Sequence, residues 1–119
     1  MKPRLPLLLL LAALSATACG GHDKALRVAL TSLDTARDGF VAYDARRQQS
    51  IVQEASSYEA GVSALKKYRT DREPVLHSFQ IAYATLALAA LEPKAENLQV
   101  AADAVKKLYE QIKALRSGP

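Results

Sequence analysis

From Pro6 to Pro74 no proline interrupts the chain, and beyond that point only Pro93 and Pro119 occur. A backbone so free of breakers, filled with Ala, Leu, Lys, Glu, Gln and Arg, favours helices over any other regular structure. Five glycines are few for a β-rich or disordered chain. The prolines mark out three segments, 22–73, 75–92 and 94–118. In the first, apolar residues recur at Leu26, Ala29, Leu33, Ala36, Phe40 and Tyr43, alternating steps of three and four. That spacing is a heptad-like seam. It resumes at Ile51, Ala55, Tyr58, Val62 and Leu65 after a break at Arg47, a stutter that locally unwinds a supercoil. Asp38-Gly39 and Gly61 are weak points, since a glycine inside a helix costs about 1 kcal/mol against alanine. Because Phe40 and Tyr43 stay in phase with Leu33 and Ala36, the segment is expected to form one long helix from Asp23 to Tyr68. The alternative is a break near Asp38-Gly39 or Gln48–Ser50, giving a four-helix bundle.

Thr70-Asp71-Arg72-Glu73 has capping-box spacing, and Pro74 would then fall in a first helical turn, where a missing amide proton does little harm. The second helix, ending at Leu91, carries Val75, Leu76, Phe79, Ile81, Tyr83, Leu86 and Leu88 on nearly every side. Such a helix is normally buried between neighbours or in a membrane. His77, Ser78, Gln80 and Thr85 interrupt it, so burial between two other helices is expected. Glu92-Pro93-Lys94 makes the next turn. A third helix repeats Leu98, Ala101, Val105, Leu108, Ile112 and Leu115. The expectation is an all-α, three-helix bundle spanning residues 23–116, its two shorter helices packed on the C-terminal half of a long first one.

Residues 1–18 have another character. Lys2 and Arg4 precede an apolar run, Leu5 to Leu14, broken only by Pro6, and small residues follow from Ser15 to Ala18. This is the layout of a cleaved secretory signal, with an apolar run too short to span a bilayer. Cys19, the single cysteine, stands just after Ala16-Thr17-Ala18, so no intramolecular disulfide or cysteine-based metal cage is available. The tetrapeptide Ala16-Thr17-Ala18-Cys19 resembles the lipobox of bacterial lipoproteins, with Ala16 where leucine is more usual. The resemblance covers about the first twenty residues. It implies cleavage before Cys19, a thioether diacylglycerol on that cysteine and usually an N-acyl chain, with residues 19–22 as a lipidated tether. Several acyl chains anchor a protein stably, whereas one does not. Gly20, in place of the aspartate that retains enteric lipoproteins at the inner membrane, implies the periplasmic face of the outer membrane in a Gram-negative host. An ordinary secreted protein with a free Cys19 thiol is the alternative.

Loss of residues 1–18 removes Lys2 and Arg4 and lowers the formal net charge from +4 to +2. The high isoelectric point therefore belongs largely to the signal. It is no argument for nucleic acid, and the absence of tryptophan also disfavours a base-stacking platform. No cofactor, metal site or enzyme activity is expected. The chain has no Gly-x-Gly phosphate loop, Ser56-Ser57 lack a neighbouring base, and His22 with Asp23 supply too few ligands. His77 reads as a boundary residue. Two surfaces stand out. Lys66, Lys67, Arg69 and Arg72 bracket the expected first turn, where Lys113 and Arg116 would join them in a basic tip for an anionic partner. Leu26, Leu33, Phe40 and Tyr43 form a stripe that two short helices would leave bare, and so a site for a partner protein or self-association. The functional expectation is a lipid-anchored, non-catalytic interaction module of the cell envelope. The alternatives are a lipoprotein enclosing a small apolar molecule among Phe79, Tyr83, Leu86 and Tyr109, or a phage or prophage lysis or exclusion factor.

Overall fold

Ser57 divides the first segment. In the computed structural model, which describes residues 22–118, the chain forms α1 (His22–Glu54), α2 (Tyr58–Leu91) and α3 (Ala95–Ser117). The described residues contain no strand, and the fold is an all-α three-helix bundle. Ser57 adopts extended angles, φ −155° and ψ 167°. Its hydroxyl accepts from the amide of Ala60 at 3.1 Å, the N-cap interaction that starts a helix. Glu59 follows in the first turn, where an acid suits the helix dipole. The chain therefore does not form the single helix expected from Asp23 to Tyr68, nor break at Asp38-Gly39 or Gln48–Ser50. Thr70 to Glu73 remain helical, and Pro74 lies inside α2.

A proline inside a helix removes one backbone hydrogen bond and costs about 3 kcal/mol. Running α2 through Pro74 offsets that cost. It produces helices of 33 and 34 residues, each about 50 Å long, which pair antiparallel along their length. Leu26, Leu33 and Phe40 become buried under α2, and each such side chain contributes roughly 1.5–3 kcal/mol. Breaking the chain at Pro74 would leave them in water.

The central helix is α2. Its inward residues Val75, Phe79, Ala82, Leu86 and Ala89 meet Leu26, Ala29, Leu33 and Phe40 of α1, and Leu98, Ala101, Val105 and Leu108 of α3, in one apolar cluster. Phe40 packs against Phe79 and Tyr43, with ring centroids 5.8 and 6.5 Å apart. The second turn falls at Glu92–Lys94, as expected. The Glu92 amide closes on the Leu88 carbonyl at 2.8 Å, and the Asn97 side chain donates to the Glu92 carbonyl at 2.8 Å. With 23 residues, α3 is about 35 Å long. It stops well short of the α1–α2 turn, so the last turns of α1 and the first of α2 project as a two-helix hairpin. The described residues form a rod of 58 × 25 × 18 Å.

Candidate functional site

Where α3 ends, the apolar core gives way to a polar layer between α1 and α2. Asp44 faces inward from α1, and its carboxylate accepts from the Tyr68 hydroxyl at 2.8 Å, Arg72 Nη1 at 2.5 Å and Gln48 Nε2 at 3.0 Å. Arg69 Nε donates in turn to Gln48 at 3.0 Å. The Asp44–Arg72 ion pair is mostly enclosed, its side chains 16% and 21% exposed. Arg72 Nε is buried without a hydrogen-bond partner. Burial, followed by the hydrogen bond to Asp44, drives the Tyr68 hydroxyl pKa well above its ordinary value. The same device recurs lower in the bundle. Tyr83 donates to Asp34 at 2.5 Å, Arg37 lies 5.7 Å from the centre of the Tyr83 ring, and desolvation with the Asp34 bond pushes the Tyr83 pKa up to about 12. Both layers fasten α1 to α2 through a carboxylate and a tyrosine hydroxyl, and in the upper one Arg72 Nε alone is left without a partner.

Beside the upper layer, the three helices enclose an open groove of about 660 Å³. Arg47 from α1, Lys67 from α2 and Arg116 from α3 line it, with Tyr43, Tyr68 and Asp71 between them. Arg116 lies over the Tyr43 ring at 5.1 Å, and Lys67 pairs with Asp71 at 2.9 Å. Three cations against one carboxylate make the groove a weak anion-attracting surface. Part of that charge complements the C-terminal dipole of α3, since Arg116 sits in its last turn.

The basic tip expected at Lys66, Lys67, Arg69 and Arg72 is not assembled. These residues occupy successive turns within α2 instead of flanking a helix end, because the turn lies at residues 55–57. Arg72 is spent on Asp44, Arg69 on Gln48 and Lys67 on Asp71, and Lys66 is exposed. Of that set only Lys67 lines the groove. Arg47 and the Asp44 layer were missed by sequence reasoning, although Asp44 and Gln48 on α1, and Tyr68 and Arg72 on α2, each show the i,i+4 spacing of one helix face.

The expected partner stripe is also corrected. Leu26, Leu33 and Phe40 are buried core residues and Tyr43 packs partly buried against the same cluster, because α2 covers the whole of α1. The four residues considered for an apolar ligand line no common cavity among the described pockets. Phe79 is in the core, Tyr83 and Leu86 border a groove open to solvent, and Tyr109 borders another. His77 is exposed. Among the described residues, no three His, Cys, Asp or Glu side chains gather as metal ligands. Cys19 and the residues before it lie outside the described range. Comparison with protein-family models, curated proteins and solved structures finds no match for this chain.

Proposed function

We propose that the chain is a small lipid-anchored helical protein of the bacterial cell envelope, acting as a non-catalytic interaction module. The observation that carries this reading is the lipobox-like run Ala16-Thr17-Ala18-Cys19, placed three residues before α1 starts at His22. Acyl chains on Cys19 would lead almost directly into a rigid helix pair. The groove of Arg47, Lys67 and Arg116 then lies about 38 Å along the bundle from the start of α1 at His22, counting 1.5 Å per residue to Arg47. An anionic envelope polymer or an acidic protein face is the partner its charge suits. Cys19→Ala should shift the protein from the membrane fraction to the soluble fraction or block its processing. An unmodified Cys19 at the mature N-terminus, seen by mass spectrometry, would refute the anchor. Replacing Arg47, Lys67 and Arg116 together by glutamate should abolish salt-sensitive retention on anionic polymers, and unchanged retention would refute the groove as the contact.

A further inference from the structure

The outward face of α2 changes character at Pro74. Below it in sequence, the solvent side carries Glu59, Lys66, Thr70 and Glu73. From Pro74 to Leu91 there is no charged residue at all. Within α2, an 18-residue window is long and apolar enough to cross a membrane, yet only 33% of it is buried in the bundle. The inward side of this stretch is taken by α1 and α3. The outward side holds His77, Ile81, Ala84, Leu88 and Leu91 in steps of four and three, a stripe along one helix face. Ile81 is 39% exposed, Leu88 43% and Leu91 81%. A helix facing water normally places its charges there, as α3 does with Asp103, Lys106 and Lys113 on its exposed side.

We propose that this face of α2 rests on the lipid bilayer surface, so that the anchored bundle lies against the membrane and does not stand away from it. The inference rests on the lipid-anchor reading of Cys19. Two observations select lipid as the occupant. First, the apolar half of α2 is the half beside the start of α1. Asp23, Leu26 and Arg27 share a groove with Leu86, Ala87 and Ala90. Only Gly20 and Gly21 separate Cys19 from His22, at most about 10 Å of extended chain, so the anchor holds this end at the interface. Second, the stripe is small. Fifteen residues of helix surface measure about 22 Å by 10 Å, roughly 220 Å² where a stable protein interface needs about 800 Å² on each partner. A bilayer sets no such minimum once an anchor supplies proximity. The basic groove meets α2 between Ala64 and Pro74, short of the stripe, so seating residues 77–91 on lipid would leave it uncovered.

The test uses the mature lipidated protein in vesicles of phosphatidylethanolamine and phosphatidylglycerol. Cys19 is the only native cysteine, and its thiol is consumed by the lipid, so single-cysteine variants accept one environment-sensitive dye each. Leu88→Cys and Leu91→Cys report on the stripe, Tyr58→Cys on the far turn and Val100→Cys on the outer side of α3. A quencher attached to lipid should dim the first two by about twofold or more relative to the others, as expected for a face seated 5–10 Å into the interface. Ala84→Glu added to Leu88→Cys should remove the difference while the anchor keeps the protein on the vesicle. Equal quenching at all four positions overturns the docking alone. Shielding of positions 88 and 91 from an aqueous quencher without lipid quenching also overturns it, in favour of a second copy as the occupant. Dye uptake by the wild type reveals a free Cys19 and overturns the anchor together with the docking.

Discussion

Around Phe79 three helices share an apolar core, with Leu33, Val105 and Leu108 fully enclosed. Around Tyr68 and beyond, two helices meet, and a carboxylate with its donors does most of the joining. The second region has little apolar material to bury: Ile51 and Gly61 are covered, but Val52 and Tyr58 are largely in water. Stability in the three-helix body should therefore follow methylene burial, and in the hairpin it should follow polar pairing. The contrast also has a functional side. A two-helix end held by a few polar contacts opens more readily than a packed core, and the basic groove lies at the boundary between the two.

The largest effects test the core side of this contrast. Leu108→Ala should cost about 2–5 kcal/mol, because a rigid three-helix core collapses poorly around a void. Ile51→Ala, in the hairpin with solvent close by, should fall at the bottom of that range, about 2 kcal/mol. Chemical denaturation of both variants gives the comparison, and equal losses would mean that the hairpin is packed as tightly as the body.

Next comes the carboxylate. Asp44→Ala removes the acceptor of three donors and leaves the Arg72 charge enclosed, an expected loss of about 2–3 kcal/mol. Replacing the pair together, Asp44→Leu with Arg72→Met, should recover most of that loss, since apolar isosteres often match a buried ion pair. A double variant no more stable than Asp44→Ala would show that the pair stabilises the hairpin beyond what packing can replace.

The same two regions differ in how openly the sequence announces them. The seam from Leu26 to Tyr43, the apolar α2 and the turn at Glu92-Pro93-Lys94 are readable because periodicity and proline act locally. The α1–α2 turn is harder to read. Thr70-Asp71-Arg72-Glu73-Pro74 carries stronger start signals than Ser56-Ser57, yet the helix begins at Tyr58. The deciding quantity is non-local: a turn at 55–57 covers Leu26, Leu33 and Phe40, and that burial exceeds the cost of one interior proline. A bare stripe of that size on a monomer was itself a warning against the longer helix. The groove was only partly visible for the same reason. Lys67 and Arg116 were singled out, but Arg47 joins them only once the chain turns back after Glu54, and Arg72 is drawn away to Asp44.

Alkali should loosen both polar layers. Tyr83 ionises in the folded protein at about 12, against an ordinary 10.0, because of desolvation first and the Asp34 bond second. A raised folded-state pKa means that the native state holds its proton more tightly than the unfolded chain does. The contribution is then complete below pH 10 and is lost as pH rises through 12. Tyr68 is raised as well, with the same leading cause. Tyr83→Phe should flatten the fall in stability between pH 10 and 12, measured by urea midpoints, and an unchanged slope would show that the Tyr83 hydroxyl has no preferential hold on its proton in the folded state.

The smallest effects compare one glycine from each region. Gly39 sits mid-helix in α1, exposed, with nothing within 4 Å of where a Cβ would lie. Gly39→Ala should therefore gain close to the full helix-propensity difference, about 1 kcal/mol. Gly61, in the first turns of α2, would place its Cβ 3.3 Å from the Ala55 Cβ across the turn. There the same propensity gain is opposed by displacement of Ala55, and Gly61→Ala should change stability by no more than about 0.5 kcal/mol in either direction. Melting temperatures of the two variants, measured side by side, separate the cases. A full gain at Gly61 would show that Ala55 yields freely, making the turn the softest joint in the rod. A loss well beyond that bound would show instead that Ala55 is rigidly held, and that the hairpin depends on close backbone approach as well as on Asp44.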